Sequence, residues 1–165
     1  MFEREILTPQ QVLLRYRGGP RTGVFTDGSC EGNPGRGGWA WVWVVDGEIQ
    51  GEGHGVSDAT TNNRMELTAL IEGLRALPAD AALPIYSDSQ LCVKTVNEWA
   101  GGWEARGWRR KGGPIANLEL VKELTALARA HPRVEIRWIK AHDGSRWNEY
   151  ADALASSYLR GGAGG

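Results

Sequence analysis

The chain has 165 residues, 41% hydrophobic and 24% charged, with a formal net charge of −1 at pH 7. That length suits one domain around one buried core, and the composition is that of an ordinary globular protein. No run approaches the ~18 apolar residues of a membrane span, and the opening stretch lacks a continuous apolar signal segment, so a cytoplasmic location is expected, while the near-neutral charge by itself points to no polyanionic partner.

Residues 1–20 are polar and mixed and close on Gly18-Gly19-Pro20, so they form an N-terminal extension of open role, with a short helix around Pro9–Tyr16. Thr22–Thr26 reads as a strand running into the turn Asp27-Gly28-Ser29. After the loop Glu31–Gly38, the apolar run Trp39–Val45 suits a strand covered on much of both faces. Asp46-Gly47 is a hairpin signal, and Glu48–Gly55 returns as a third strand.

The period then changes. Asn62–Leu77 carries Leu67, Leu70, Leu74 and Leu77 at helical spacing and stops before Pro78. Pro84–Ser87 is a short strand, and Ser89 caps a helix through about Glu98. Trp99–Pro114, rich in Gly, Trp and Arg, is an excursion whose Arg106, Arg109, Arg110 and Lys111 stand among tryptophans. Leu118–Ala130 is a helix, Arg133–Ile139 a strand, Ala141–Arg146 a loop, Trp147–Leu159 a last helix, and 161–165 a flexible tail. Antiparallel strands followed by helix-linked, necessarily parallel ones predict a mixed α/β fold, a five-stranded sheet flanked by helices. Cys30 and Cys92 fall in different elements with no C-x-x-C pair and are expected to be free thiols.

Asp27 and Asp88 each follow a predicted strand, and sites in such sheets collect beyond the carboxyl ends of strands where the order switches. Glu66 is placed in the first turn of the following helix and Asp152 near the start of the last one. Each alone is explained by a turn, a cap or a helix dipole. Four carboxylates at one sheet edge require counter-cations, and an all-oxygen set favours Mg²⁺ or Mn²⁺ over zinc. Two such ions about 4 Å apart clamp both the attacking and the leaving oxygen of a phosphoryl displacement, so metal-assisted phosphodiester hydrolysis leads.

The company these residues keep is recognisable. Thr26-Asp27-Gly28-Ser29 with Gly32-Asn33-Pro34-Gly35 and Gly37-Gly38-Trp39-Ala40, then Thr61-Asn62-Asn63-Arg64-Met65-Glu66-Leu67, resembles the first two segments of the bacterial type 1 ribonuclease H family. Ser87-Asp88-Ser89-Gln90 is similar to the third, and Trp138-Ile139-Lys140-Ala141-His142, Asn148-Glu149 and Ala151-Asp152-Ala153-Leu154-Ala155 to the fourth. The resemblance spans about Thr22–Arg160, in the family's order, and places a ribonuclease H domain at 21–160. It implies a monomeric endonuclease needing no protein partner, which cuts the RNA strand of RNA–DNA hybrids and leaves 5′-phosphate and 3′-hydroxyl ends. It implies further that Asp27 bridges two Mg²⁺ ions, that Asp152 shares the ion activating water, and that Glu66 and Asp88 hold the ion at the leaving group. His142 matches the family's loop histidine, which assists proton transfer or product release. His131, at a helix C-terminus before Pro132, is read as structural.

Choosing a hybrid means reading the 2′-hydroxyl. The matched positions imply that Asn33, Asn62, Glu66 and backbone near Cys30 do so, and the amides of Asn62 and Asn63 can both donate and accept. The excursion resembles the family's basic protrusion, with Trp99, Trp103, Arg109, Arg110 and Lys111 gripping the DNA strand. It is about one residue shorter than its bacterial counterparts, so its arginines are not matched singly. Thr61 and Asn117 correspond to a phosphate pocket for DNA, whose extra arginine is replaced by Ala59. Two competing readings stay open, a nuclease of the same fold acting on DNA junctions and a catalytically silent hybrid-binding module.

Overall fold

Strand β1 (Gly23–Cys30) runs through the middle of one five-stranded sheet of order β3-β2-β1-β4-β5. The structure, a computed structural model, describes residues 6–160; the predicted flexible tail and the first five residues of the extension lie outside the described residues. β2 (Gly35–Val45) pairs antiparallel with β1 and with the edge strand β3 (Glu48–Thr60), while β4 (Pro84–Ser87) adds in parallel to β1 and β5 (Glu135–Trp138) in parallel to β4. The predicted three-plus-two mixed sheet is therefore found.

The hairpin between β2 and β3 forms at the predicted pair, with Asp46 at φ 49° and Gly47 at φ 80°, the left-handed values a two-residue turn requires. Both strands run longer than expected. β2 begins at Gly35 because glycines 35, 37 and 38 let it lie close to its neighbours, and the ladder with β1 then continues through Ser29↔Gly38 and Cys30↔Gly37.

Residues alternate across the sheet and define two cores. Val24 and Ile85 point to one face, covered by α2 (Asn62–Ala76) and α5 (Leu118–Ala130) with Leu67, Leu70, Leu74 and Leu124. Phe25, Ala40, Val42, Val44 and Tyr86 point to the other, covered by α6 (Arg146–Ala155) through Trp147, Tyr150, Ala151 and Leu154. The extension contributes to this second core: α1 (Pro9–Arg15), closed by a Thr8–Gln11 capping box, buries Val12. His131 is buried with both ring nitrogens against carbonyl oxygens, of Leu127 at 2.7 Å and Leu77 at 3.0 Å, which ties the ends of α5 and α2 together.

The predicted helix after Ser89 does not end at the excursion. α3 (Gln90–Lys94) passes through a π-helical turn at Thr95–Trp99 into α4 (Ala100–Ala105), so the first part of the excursion is helical. The last helix breaks at Ser156 and resumes as α7 (Ser157–Arg160). Both cysteines are free thiols, as expected. Among the described residues, no helix is long and apolar enough to cross a membrane.

Candidate active site

Alternation along β1 aims Asp27 at the face of Phe25, which α6 covers, so Asp27 meets Asp152 of α6, while Glu66 of α2 reaches it from the other face. Asp27 lies inside β1, opposite Ala40, and not just after the strand as the sequence suggested. It is nevertheless beyond the short parallel pairing of β1 with β4, which joins Val24 to Ile85 and Phe25 to Tyr86; carrying that register on brings Asp27 beside Asp88. Asp88 does follow β4 directly, where its main-chain oxygen accepts the Trp138 indole N–H at 3.2 Å.

Glu66 arrives from the opposite side of the sheet. It sits in the second turn of α2, one turn later than expected, because Thr61 caps the helix and Asn62 is its first residue. Its carboxylate accepts the main-chain N–H of Gly28. Glycine is needed there, since a Cβ would collide with the backbone of Met65 and Glu66. Asp152 lies in the middle of α6 rather than near its start.

Carboxylate oxygens of Asp27, Glu66 and Asp88 all fall within 4.8 Å of one another, and so do ligand atoms of His142, Glu149 and Asp152. Burial holds the Asp27 carboxyl well above the usual carboxylate range, and the charges of Glu66, Asp88 and Asp152 together with a hydrogen bond to Asp152 push it further. Glu66 is raised in the same direction by burial first and then by the charge of Asp88. Asp27 is only 5% exposed, yet these groups open onto a cleft of about 400 Å³. A set of oxygen donors that repel each other in a solvent-reached cleft fits a hard divalent cation.

Two side chains beside this cluster had escaped selection. Asn148 donates its amide to Asp88 Oδ2 at 3.4 Å, and the buried Glu149 carboxylate lies 3.3 Å from His142 Nδ1. Helical spacing held the signal, since Asn148 and Glu149 are four and three residues before Asp152 and share its face. His142 itself is 66% exposed, on a loop where it adopts φ 54°.

The expected substrate-binding residues lie in several separate places. Asn33 accepts the main-chain N–H of Asn62 at 3.0 Å, and Asn62 lines the carboxylate cleft. Asn63 faces away from it, accepting the Cys92 thiol at 3.1 Å; burial pushes that thiol up to about 12. Thr61 and Asn117 are joined through Arg64, whose main-chain N–H donates to Thr61 Oγ1 at 3.2 Å and whose guanidinium donates to Asn117 Oδ1 at 3.2 Å. Trp99, Trp103, Arg110 and Lys111 line one depression together with Arg106. Trp103 packs against the core while Trp99 stays 39% exposed, and Arg109 is exposed outside the depression.

The sequence profile of the RNase H family matches residues 20–160. Ribonuclease H of Cupriavidus necator is 46% identical over 134 residues, covering 81% of this chain and 91% of that protein. Ribonuclease HI of Caulobacter vibrioides is 44% identical over 142 residues, covering 86% and 94%. LC11-RNase H1, solved in complex with an RNA/DNA hybrid, superposes with a TM-score of 0.60 over 82% of this chain and 97% of that one; at 23% identity this is a likeness of fold. The matched profile covers both halves of the carboxylate site, and the chain belongs to the ribonuclease H family.

Proposed function

We propose that this chain is an endoribonuclease that hydrolyses the RNA strand of RNA–DNA hybrids with two Mg²⁺ ions at Asp27, Glu66, Asp88 and Asp152. The observation that carries the reading is the convergence of Asp27, Glu66 and Asp88 within 4.8 Å, in a chain of this family. The buried, mutually repelling carboxylates supply the affinity for cations, since only a bound cation lets all of them ionise together. When bound, the ions activate water and stabilise the charge on the attacking and leaving oxygens.

The chain's own residues divide the work. Asp27 stands between the two groups, with Glu66 and Asp88 on one side and Asp152 with His142 on the other. Asn148 orients Asp88 through its amide. His142, with Nδ1 against Glu149, is free to present Nε2 to the cleft and move a proton to or from the cleaved phosphate. Asn33, Asn62 and the backbone at Cys30 line the RNA side. The depression around Trp99 and Arg110, and the Thr61–Arg64–Asn117 cluster, take the DNA strand. All of these come from one chain, which suits a monomer.

Incubation with a labelled hybrid, the matched RNA and DNA duplexes and a four-way DNA junction tests the reading. Mg²⁺-dependent cleavage confined to RNA in the hybrid is expected. Preferred junction cleavage, or hybrid binding without cleavage, overturns it.

A further inference from the structure

We infer that the N-terminal extension buttresses the catalytic loop, with Arg146 as the positioning residue that transmits its hold to His142. The inference rests on the role proposed above for His142. The extension precedes the matched family region, which begins at residue 20, yet it is built into the domain beside the active site.

Val12 is 1% exposed, in the same core cluster as Tyr150, Ala153 and Leu154 of α6. The decisive contacts lie where α1 ends. The last carbonyls of a helix lack partners within it and carry partial negative charge. Here Arg146 Nε donates to Tyr16 O at 2.7 Å and its Nη2 donates to Leu13 O at 3.2 Å. The main-chain N–H of Arg146 donates to Gly18 O at 3.0 Å, and Gly18 pairs with Ser145 in a parallel bridge. Ser145 is buried under this contact, and a Cβ at Gly18 would lie 3.0 Å from the Gly144 oxygen, so the extension presses directly on the loop.

The upstream end of the loop is fixed where the Ile139 N–H donates to Ser87 O at 3.0 Å, Glu149 of α6 holds it through His142 Nδ1 at 3.3 Å and through an N–H to Ser145 O at 3.0 Å, and the extension adds its hold at the downstream end. Within that span His142 and Gly144 both adopt positive φ, at 54° and 80°, a conformation that the loop sequence alone does not enforce. A cavity of about 220 Å³ has Leu7, Val12 and Arg15 of the extension on one wall and His142, Glu149 and Asp152 on the other. Releasing Arg146 removes one of these holds and widens the range of positions His142 takes, and a displacement of about 1 Å at a catalytic group is enough for large rate losses.

The test uses the full chain with Arg146→Ala, Arg146→Lys, His142→Ala, the Arg146→Ala/His142→Ala pair and Val12→Ala. Arg146→Ala is expected to lower kcat by roughly 5–30-fold with KM for the hybrid changed by less than about twofold. Arg146→Lys, which keeps a donor, should recover part of the loss. In the metal-free protein, amide exchange at residues 141–144 should quicken by about tenfold or more in Arg146→Ala. Arg146→Ala should cost nothing further once His142 is alanine. Val12→Ala should lower the melting temperature with kcat unchanged well below it. Multiplicative losses in the pair, or an unchanged kcat in Arg146→Ala while His142→Ala is impaired, overturn the inference alone. An unchanged kcat in His142→Ala overturns it together with the assignment of His142.

Discussion

The side-chain oxygen of Asn33 accepts the main-chain N–H of Asn62 at 3.0 Å, pinning the loop between β1 and β2 to the first residue of α2. The resemblance implies that Asn33 reads a 2′-hydroxyl. Its acceptor is already committed within the protein, so the exposed amide has a donor to offer. Asn33→Asp keeps the acceptor, loses the donor and sets a negative charge against the RNA backbone. KM for the hybrid is expected to rise about 3–10-fold with kcat within about threefold, whereas Asn33→Ala should add a loss of about 1 kcal/mol in stability. Steady-state kinetics with thermal melting separates the two roles, and a kinetically silent Asn33→Asp leaves only the pinning role.

The carboxylate cluster couples activity to stability with a definite sign. Asp27 and Glu66 are held above their ordinary values, so from about pH 4 up to their raised folded values the native state binds more protons than the unfolded one. Stability of the metal-free protein therefore falls as pH rises through that window. A bound cation favours the ionised forms and removes the penalty. The rise in Tm on adding Mg²⁺ should grow from pH 5 to pH 8, measured by calorimetry in buffers of equal ionic strength. Asp27→Asn removes one buried charge. It should abolish cleavage, leave hybrid binding in place, and raise the metal-free Tm by roughly 2–6 °C at pH 8. Full activity in that variant would refute the site.

Element order, sheet class and the convergence of Asp27, Glu66 and Asp88 at one sheet edge were legible because they rest on local periodicity and on residue types. Their exact placement was not. Asp27-Gly28 carries the signature of a turn, yet Gly28 serves close packing against Met65 and Glu66, and β1 continues through it. The same ambiguity hid the start of β2, where glycines that read as loop are positions of close strand approach. The contacts of Glu149 with His142 and of Asn148 with Asp88 required the fold, although their helical spacing from Asp152 was visible. Nothing local in the polar extension announced that Val12 would enter the core or that Arg146, far along the chain, would hold Tyr16 and Leu13.

Arg64 brings a cation to Thr61 and Asn117, the pair whose extra arginine is replaced by Ala59 in the sequence. Its guanidinium joins Asn117 and is paired with the exposed Glu119, an interaction worth at most about 1 kcal/mol on the surface. A phosphate can therefore displace Glu119 at little cost. Arg64→Ala is expected to raise KM about 3–10-fold and to lower the slope of log KM against log salt by about one. Glu119→Gln should lower KM modestly at low salt. No salt dependence in the Arg64 effect would assign it to helix packing alone.

The excursion separates into a scaffold and a grip. Trp103 and Trp108 pack against the core, and Trp108 takes φ 62° with Lys122 at 5.8 Å from its ring, so truncating either should cost about 2–4 kcal/mol of stability. Arg110 anchors the loop through Nε, which donates to Pro114 O at 3.1 Å, and shares a depression with Trp99 and Lys111. Arg109 lies outside that depression. Arg110→Ala with Lys111→Ala should raise KM several-fold more than Arg109→Ala, reduce the salt slope by one to two, and change kcat by less than about twofold. Trp99→Ala, which removes an exposed aromatic face, should raise KM with little dependence on salt. Kinetics from about 50 to 200 mM salt distinguishes these outcomes. Equal KM effects for Arg109 and Arg110 would move the grip from the depression to the outer edge of the loop.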